Sequence, residues 1–219
     1  MSQVILNFHG VGPIPRNIDD GEKNCWLEQD YFEAILDMVM EHPHIRLTVD
    51  DGNLSDYEII LPALLKRNLR ATFFICSGRL DDGRFLDRKM VCELFQQGMS
   101  IGSHGSSHCS WRTLPTNELI QELKLSHDVL VEVCNNSIVS AACPFGAYDS
   151  RVLTILRRVG YKYIYTSDGG FAKEFNWIQP RMTVSREMTM NYLSNMIVNG
   201  PKFSKQIIIT MRSLVKRFR

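Results

Sequence analysis

The feature that most constrains this chain is the recurrence of short apolar runs that end abruptly on polar, chemically capable residues, with helical patterns between them. Val4 to Phe8 ends on His9-Gly10. Ile45 to Val49 alternates apolar with polar residues and runs into Asp50-Asp51-Gly52. Ala71 to Cys76 reads as a buried strand, Met99 to Gly102 leads straight to Ser103-His104, and Ile138 to Ala142 leads to Cys143-Pro144-Phe145-Gly146. Tyr161 to Thr166 ends near Asp168, and Gln206 to Thr210 reads as a last strand.

Between these runs the sequence carries helix signals. Ser55-x-x-Glu58 has capping-box spacing ahead of Ile59, Ile60, Leu64 and Leu65, and Asn68 is suited to a left-handed terminator. Asp87 precedes Met90, Val91, Leu94 and Phe95, with Gly98 as the stop. Thr116 or Asn117 can cap a longer helix carrying Leu119, Ile120, Leu123, Leu130 and Val133. Asp149 can cap one carrying Val152, Leu153, Ile155, Leu156 and Val159, ended by Gly160. Strand and helix in alternation specify an α/β fold with parallel strands. The chain has 219 residues, 44% of them hydrophobic, and no Pro/Gly/Ser-rich linker, so residues 1–219 are expected to form one domain.

In parallel α/β barrels catalytic groups collect where strands end, so His9, Asp50, Asp51, His104 and the Pro144-Phe145-Gly146 turn are expected around one cleft. Asp50-Asp51 alone fits a solvated turn; at a strand end, adjacent carboxylates can divide into a cation ligand and a base. His104 and His108 are four residues apart in a Gly/Ser-rich turn, a spacing that lets two imidazoles converge. With Asp51 they make a three-ligand site with open positions, suited to metal-assisted hydrolysis; Cys109 is a rival ligand. Zinc suits these ligands best, and cobalt, nickel or iron(II) also fit. Phe145 offers an apolar surface for a sugar ring and a backbone N–H for a developing oxyanion.

Taken together, Thr48-Val49-Asp50-Asp51-Gly52 resembles the T-F-D-D-G motif, and Ser103-His104-Gly105-Ser106-Ser107-His108 the S-H-x-x-x-H motif, of the polysaccharide deacetylases of NodB-homology type, carbohydrate esterase family four. The resemblance implies a distorted (β/α) barrel of about seven parallel strands. It implies Asp51, His104 and His108 as ligands of a divalent metal, Asp50 as general base, and removal of N-acetyl groups from an amino sugar in a polysaccharide, oligosaccharide or lipid-linked precursor. Two other functions stay open: another C–N amidohydrolase on the same scaffold, and a glycan-binding protein that keeps the metal site without turnover.

Two departures from the family pattern matter. Ala142 stands where the third motif usually has an arginine that orients the base; Arg181 is the expected substitute, grouped with His9, Pro144, Phe145 and Gly146 as substrate-binding. The late L-x-H motif aligns near Ile208-Ile209-Thr210, and Thr210 cannot protonate a leaving amine at neutral pH. His9 is therefore expected to take that role or to bind substrate.

Charge and cysteine content bound the partners. Twenty-five Lys and Arg against 24 Asp and Glu give a formal charge of +1, no electrostatic reason to expect nucleic acid. The N-terminal run is too short for a signal core and the six cysteines form no C-x-x-C pair, which leads to a cytoplasmic expectation with free thiols. Beyond Glu187 the chain has no acidic residue but contains Lys202, Lys205, Arg212, Lys216, Arg217 and Arg219. Met211, Leu214, Val215 and Phe218 have helical spacing, so a helix near 211–219 is expected either to dock on the barrel or to touch an anionic membrane surface weakly.

Overall fold

In a computed structural model, which describes residues 2–14, 18, 20–200 and 203–218, parallel strands wrap into a nearly closed barrel. Strands β1 (Ser2–Phe8), β2 (Ile45–Asp51), β3 (Ala71–Ile75), β4 (Ser100–Ser103), β5 (Ser140–Ala142) and β6 (Tyr163–Thr166) pair side by side in chain order, all parallel. Helices α1 (Asp20–Cys25), α2 (Gln29–Met40), α3 (Leu61–Lys66), α4 (Arg88–Gln96), α5 (Thr116–Cys134) and α6 (Ser150–Val159) occupy the crossovers. After β7 (Ala172–Lys173), which pairs antiparallel with β1, come β8 (Ile178–Pro180) and β9 (Met182–Thr183). β8 pairs with β6 and β9 with β1, both parallel, so the stretch 178–183 joins the last strand to the first and closes the ring. Its one residue outside either strand is Arg181.

The interior strands are covered on both faces, which is why they read as nearly continuous apolar runs. In β2 only Arg46 is exposed. The outer layer is held by helix stripes: Phe32, Ile35, Leu36 and Val39 of α2, Val91 and Leu94 of α4, Leu119, Leu123 and Leu130 of α5, and Val152, Ile155 and Leu156 of α6 are all buried. Phe8 and Phe32 meet edge to face with ring centres 5.1 Å apart.

Local signals behave as their chemistry requires in most places. The Asp87 carboxylate accepts from the Met90 N–H at 2.7 Å, and that of Asp149 from the Val152 N–H at 2.8 Å. Asn68 and Gly160 take left-handed φ values of 52° and 103° and end their helices. Ser55, by contrast, is helical and caps nothing with its side chain; its hydroxyl accepts from the Val11 N–H, and the chain enters α3 through a π-helical turn, Asp56–Ile60. α5 likewise starts without a side-chain cap, at Pro115, not at Thr116 or Asn117.

The largest difference concerns the end of the chain. Residues 206–210 are not a strand but lie in helix α8 (Phe203–Phe218), which follows α7 (Met190–Asn199). The β-branched run Ile207-Ile208-Ile209 raises the local strand preference, but β8 and β9 already join the last strand of the ring to the first, so this run is not needed to close it. The face of α8 turned to the barrel also differs from expectation: Ser213 is buried and Ile209 and Lys216 are partly so, whereas Met211, Leu214, Val215 and Phe218 are exposed.

Inside the barrel, β4 approaches β3 closely at Gly102, where a Cβ would lie 2.5 Å from the Phe74 ring and 2.9 Å from the Ser140 hydroxyl. Gly102→Ala is therefore expected to lower unfolding free energy by about 1–3 kcal/mol through overpacking, as read from the urea midpoint at constant slope. An unchanged midpoint would contradict this close approach.

Candidate active site at the strand ends

The barrel interior near the C-terminal ends of β1 and β2 is polar and fully enclosed. Asn7, Thr48, Asp50 and Arg181 are all buried there. Arg181 Nη1 and Nη2 donate to the two Asp50 carboxylate oxygens at 2.6 and 2.8 Å, a bidentate pair. Asn7 Nδ2 adds a third donor to Asp50 at 3.0 Å, while Asn7 Oδ1 accepts from Arg181 at 2.7 Å and from the Thr48 hydroxyl at 2.7 Å. The guanidinium lies over the rings of Phe74 and Tyr165, at 5.2 and 5.9 Å from their centres. Burial acts to raise the Asp50 pKa, but the charge of Arg181, the nearby His104 and the Arg181 hydrogen bonds outweigh it and hold the carboxyl below the ordinary carboxylate range.

Arg181 is thus not a surface residue, and it does not open on the cleft: its exposure is 0%, so it cannot serve as a substrate contact. Barrel closure explains the position. The Arg181 N–H donates to Thr166 O as the chain leaves β6, and the Val184 N–H donates to Asn7 O as it joins β1, which drives the side chain between them into the interior.

Asp51, the last residue of β2, faces two imidazoles. His108 Nε2 is 3.0 Å and His104 Nε2 3.5 Å from Asp51 Oδ1. Three features suit this set to a divalent cation. Asp51 Oδ1 is buried without any hydrogen-bond partner. The His104 Nδ1–H donates to Ala142 O at 2.9 Å, which fixes the tautomer and leaves the Nε2 lone pair free for a ligand. Tetrahedral bonds of about 2.1 Å separate ligand atoms by about 3.4 Å, close to the two spacings from Asp51, while the group whose donor atoms all lie within 4.8 Å of one another is Asp51, Cys76 and His108, without His104. Burial also pushes the His104 pKa down to about 4, against the pull of Asp50 and Asp51, so its imidazole is neutral at physiological pH. For Asp51, burial opposes ionisation, but the imidazole of His108 beside it, with His9 and His104 near by, outweighs that and lowers its pKa.

The backbone is bent to make this arrangement. Asp51 and His108 adopt φ of 84° and 52°, left-handed values uncommon for residues with a Cβ. The His104–His108 loop is pinned from α5, where Glu122 Oε1 accepts from the Ser106 and Ser107 N–H groups at 2.7 and 2.8 Å and Oε2 from the Ser107 hydroxyl at 2.9 Å. On the other side, the Ser77 and Gly78 N–H groups donate to Gly105 O and Ser106 O, both at 3.0 Å.

Phe145 sits at the mouth with φ of 58°, is 68% exposed, and lies 4.8 Å from the His108 ring. Pro144 and Gly146 are buried and shape that turn. His9 follows β1, partly exposed with Nδ1 buried and without a hydrogen-bond partner, near enough to Asp50 and Asp51 to favour their ionised forms. Thr210 lies in α8, so no residue at that position takes the part of a strand-end histidine. Cys109 is only partly buried against the core; Cys76, not Cys109, has a donor atom within 4.8 Å of those of Asp51 and His108. The Cys76 thiol points at His104 O at 3.7 Å, and burial pushes its pKa well above the ordinary value.

Sequence patterns missed Asn7, Glu122, Cys76 and Asp56. Asn7 had a signal, a lone amide within Val4-Ile5-Leu6-Asn7-Phe8 on a strand otherwise buried. Asp56, in the π-helical turn, is buried with both oxygens unpartnered, and burial with the nearby Asp51 and Asp50 charges raises its pKa well above the usual range.

Parallel strands closed into a ring define a class of barrel shared with known proteins. The family model described as polysaccharide deacetylase matches residues 37–164, more than half of the chain, and the chain belongs to that family. A chitooligosaccharide deacetylase of Rhizobium leguminosarum bv. trifolii is 26% identical over 125 residues, 57% of this chain and 56% of that protein. The chain spans about half the length of the curated relatives it matches. In fold it is similar to a Streptococcus pyogenes deacetylase, PplD, solved in complex with acetate (TM-score 0.75, 21% identity, 90% of this chain and 98% of that one). It is also similar to a de-N-acetylase from Aggregatibacter actinomycetemcomitans (TM-score 0.79, 15% identity, 89% and 99%).

The neutral, buried His104 has a measurable consequence in metal-free protein. Its folded pKa of about 4 lies below the value of 6.5 for a free imidazole, so between those values the unfolded chain binds the extra proton and stability falls as pH falls. Urea unfolding of chelator-treated protein should lose roughly 3 kcal/mol across that window, and His104→Asn should flatten the loss. A slope that is unchanged in His104→Asn would contradict the assignment.

Proposed function

We propose that this chain is a metal-dependent hydrolase that removes N-acetyl groups from an amino sugar within a polysaccharide, oligosaccharide or lipid-linked glycan precursor. The observation that carries the reading is the pairing of a buried carboxylate held ionised by Arg181, Asp50, with a second, Asp51, whose unpartnered oxygen faces two imidazoles. Binding alone gives no reason for the first carboxylate.

In this reading Asp51, His104 and His108 hold the cation, with zinc the first choice and cobalt, nickel or iron(II) compatible with the same ligands. Bound there, a divalent cation supplies Lewis-acid polarisation of the acetyl carbonyl and eases deprotonation of water. Asp50 takes the proton of the attacking water, and Arg181 and Asn7 fix the direction in which its oxygens point. Phe145 packs its exposed ring against the sugar and offers its backbone N–H to the oxyanion. His9 delivers a proton to the departing amine as the C–N bond breaks, leaving acetate and the free amino sugar. Residues 1–219 act as one domain in this proposal. No disulfide joins the cysteines among the described residues, in keeping with a reducing, cytoplasmic setting.

Acetate release from a panel of N-acetylated saccharides, with and without chelator, tests the proposal. Activity is expected to vanish with chelator and return on adding zinc or cobalt. Asp50→Asn should lower kcat by about 10³-fold or more with little change in KM. If neither chelator nor Asp50→Asn altered acetate release, the proposal would fail.

Arg181 and His9 can be distinguished by kinetics. Arg181→Lys keeps the charge but loses the bidentate grip, so about 10–100-fold in kcat should be lost with KM nearly constant. His9→Gln should lower kcat, and more so for substrates whose departing amine is more basic. Wild-type rates in both variants would return Arg181 and His9 to packing roles.

A further inference from the structure

Helix α8 presents two unlike faces. One is docked: Lys216 Nζ donates to Asp168 Oδ1 at 2.7 Å and to Gly146 O at 3.1 Å, the Ser213 hydroxyl is 3.4 Å from that of Tyr148, and Ile209 lies in the seam with Gly169 and Phe171. The Asp168 carboxylate is buried and also accepts from Tyr148 and Thr166 at 2.7 and 2.9 Å. The helix is therefore fastened beside the Phe145 turn, at the edge of the cleft.

The other face is uncovered and apolar. Ile207, Ile208, Met211, Leu214, Val215 and Phe218 are 44–82% exposed. At 100° per residue these six fall within about 120° of the helix circumference, and Arg212 and Arg217 lie on its two opposite edges. Residues 188–219 contain six Lys and Arg and no acidic side chain. A soluble surface helix ordinarily puts its apolar stripe inward; here the inward face is the mixed one, and the purely apolar face points away from the protein.

We propose that α8 lies in the plane of an anionic lipid bilayer, its apolar stripe in the acyl boundary and its arginines on the headgroups, so that the cleft beside Phe145 is held at the membrane surface. Charge selects this occupant. A second copy of the same face would set two rows of arginine against each other, whereas anionic headgroups complement both edges of the stripe at once. No helix among the described residues is long and apolar enough to cross a membrane, so the contact is peripheral.

The test is co-sedimentation of the 219-residue protein with vesicles of phosphatidylcholine alone or with about one third phosphatidylglycerol. Binding to the anionic vesicles is expected to exceed binding to the neutral ones by about tenfold or more and to weaken with salt. Arg212→Gln should lower it by about fivefold, and Met211→Gln with Val215→Gln by on the order of tenfold, with thermal unfolding unchanged in both variants. Equal binding to both vesicle types, or none, would overturn the proposal. So would a concentration-dependent dimer abolished by Met211→Gln with Val215→Gln, since that outcome assigns the face to a second copy. Each result is independent of whether the protein hydrolyses an N-acetyl sugar.

Discussion

The ion pair between Asp50 and Arg181 is where the fold and the chemistry of this protein meet. Two charges enclosed at 0% and 2% exposure are tolerated only when they face each other and their remaining donors and acceptors are filled, which Asn7 and Thr48 do. The pair comes from residues 131 positions apart, so it forms only when the last barrel strand closes on the first. Removing either partner would strand the other charge in the interior, at a cost of about 3–5 kcal/mol. Such a pair is weak evidence for stability as such; what it achieves is a carboxylate that stays ionised and aimed.

Next to it, the same interior imposes the opposite condition on the imidazoles. Burial keeps His104 neutral, and the Ala142 carbonyl holds its proton on Nδ1, so that Nε2 faces Asp51 with a free lone pair. Asp51 remains an anion with an oxygen that no protein donor satisfies. In the proposed reading, this anion and the free Nε2 of His104 at a strand end, in a backbone bent to bring them there, are what a divalent cation would join.

Much of this was legible in the chain because strand-end chemistry is local. Asp50-Asp51-Gly52 and His104 to His108 each lie within a few residues of a strand terminus, and alternation of strand and helix already placed those ends on one side of a barrel. Arg181 was legible as a candidate only, since nothing in Gln179-Pro180-Arg181-Met182 reveals that the chain changes pairing partner there and turns the side chain inward. Asn7 and Glu122 act by holding other residues, and such support leaves no spacing signature. The run Gln206 to Thr210 was misread because β-branched residues only bias a segment toward a strand, and the ring closes without this run.

The central claim is that Asp51, His104 and His108 share one cation beside a carboxylate that does not bind it. Titration of metal-free protein with zinc, followed calorimetrically, tests it most directly when run on the wild type, Asp50→Asn, Asp51→Asn and His108→Ala. The account predicts one tight site in the wild type, retained in Asp50→Asn and weakened by orders of magnitude in the other two. Stoichiometric binding that survived both ligand substitutions, or that was lost only with Asp50, would contradict it.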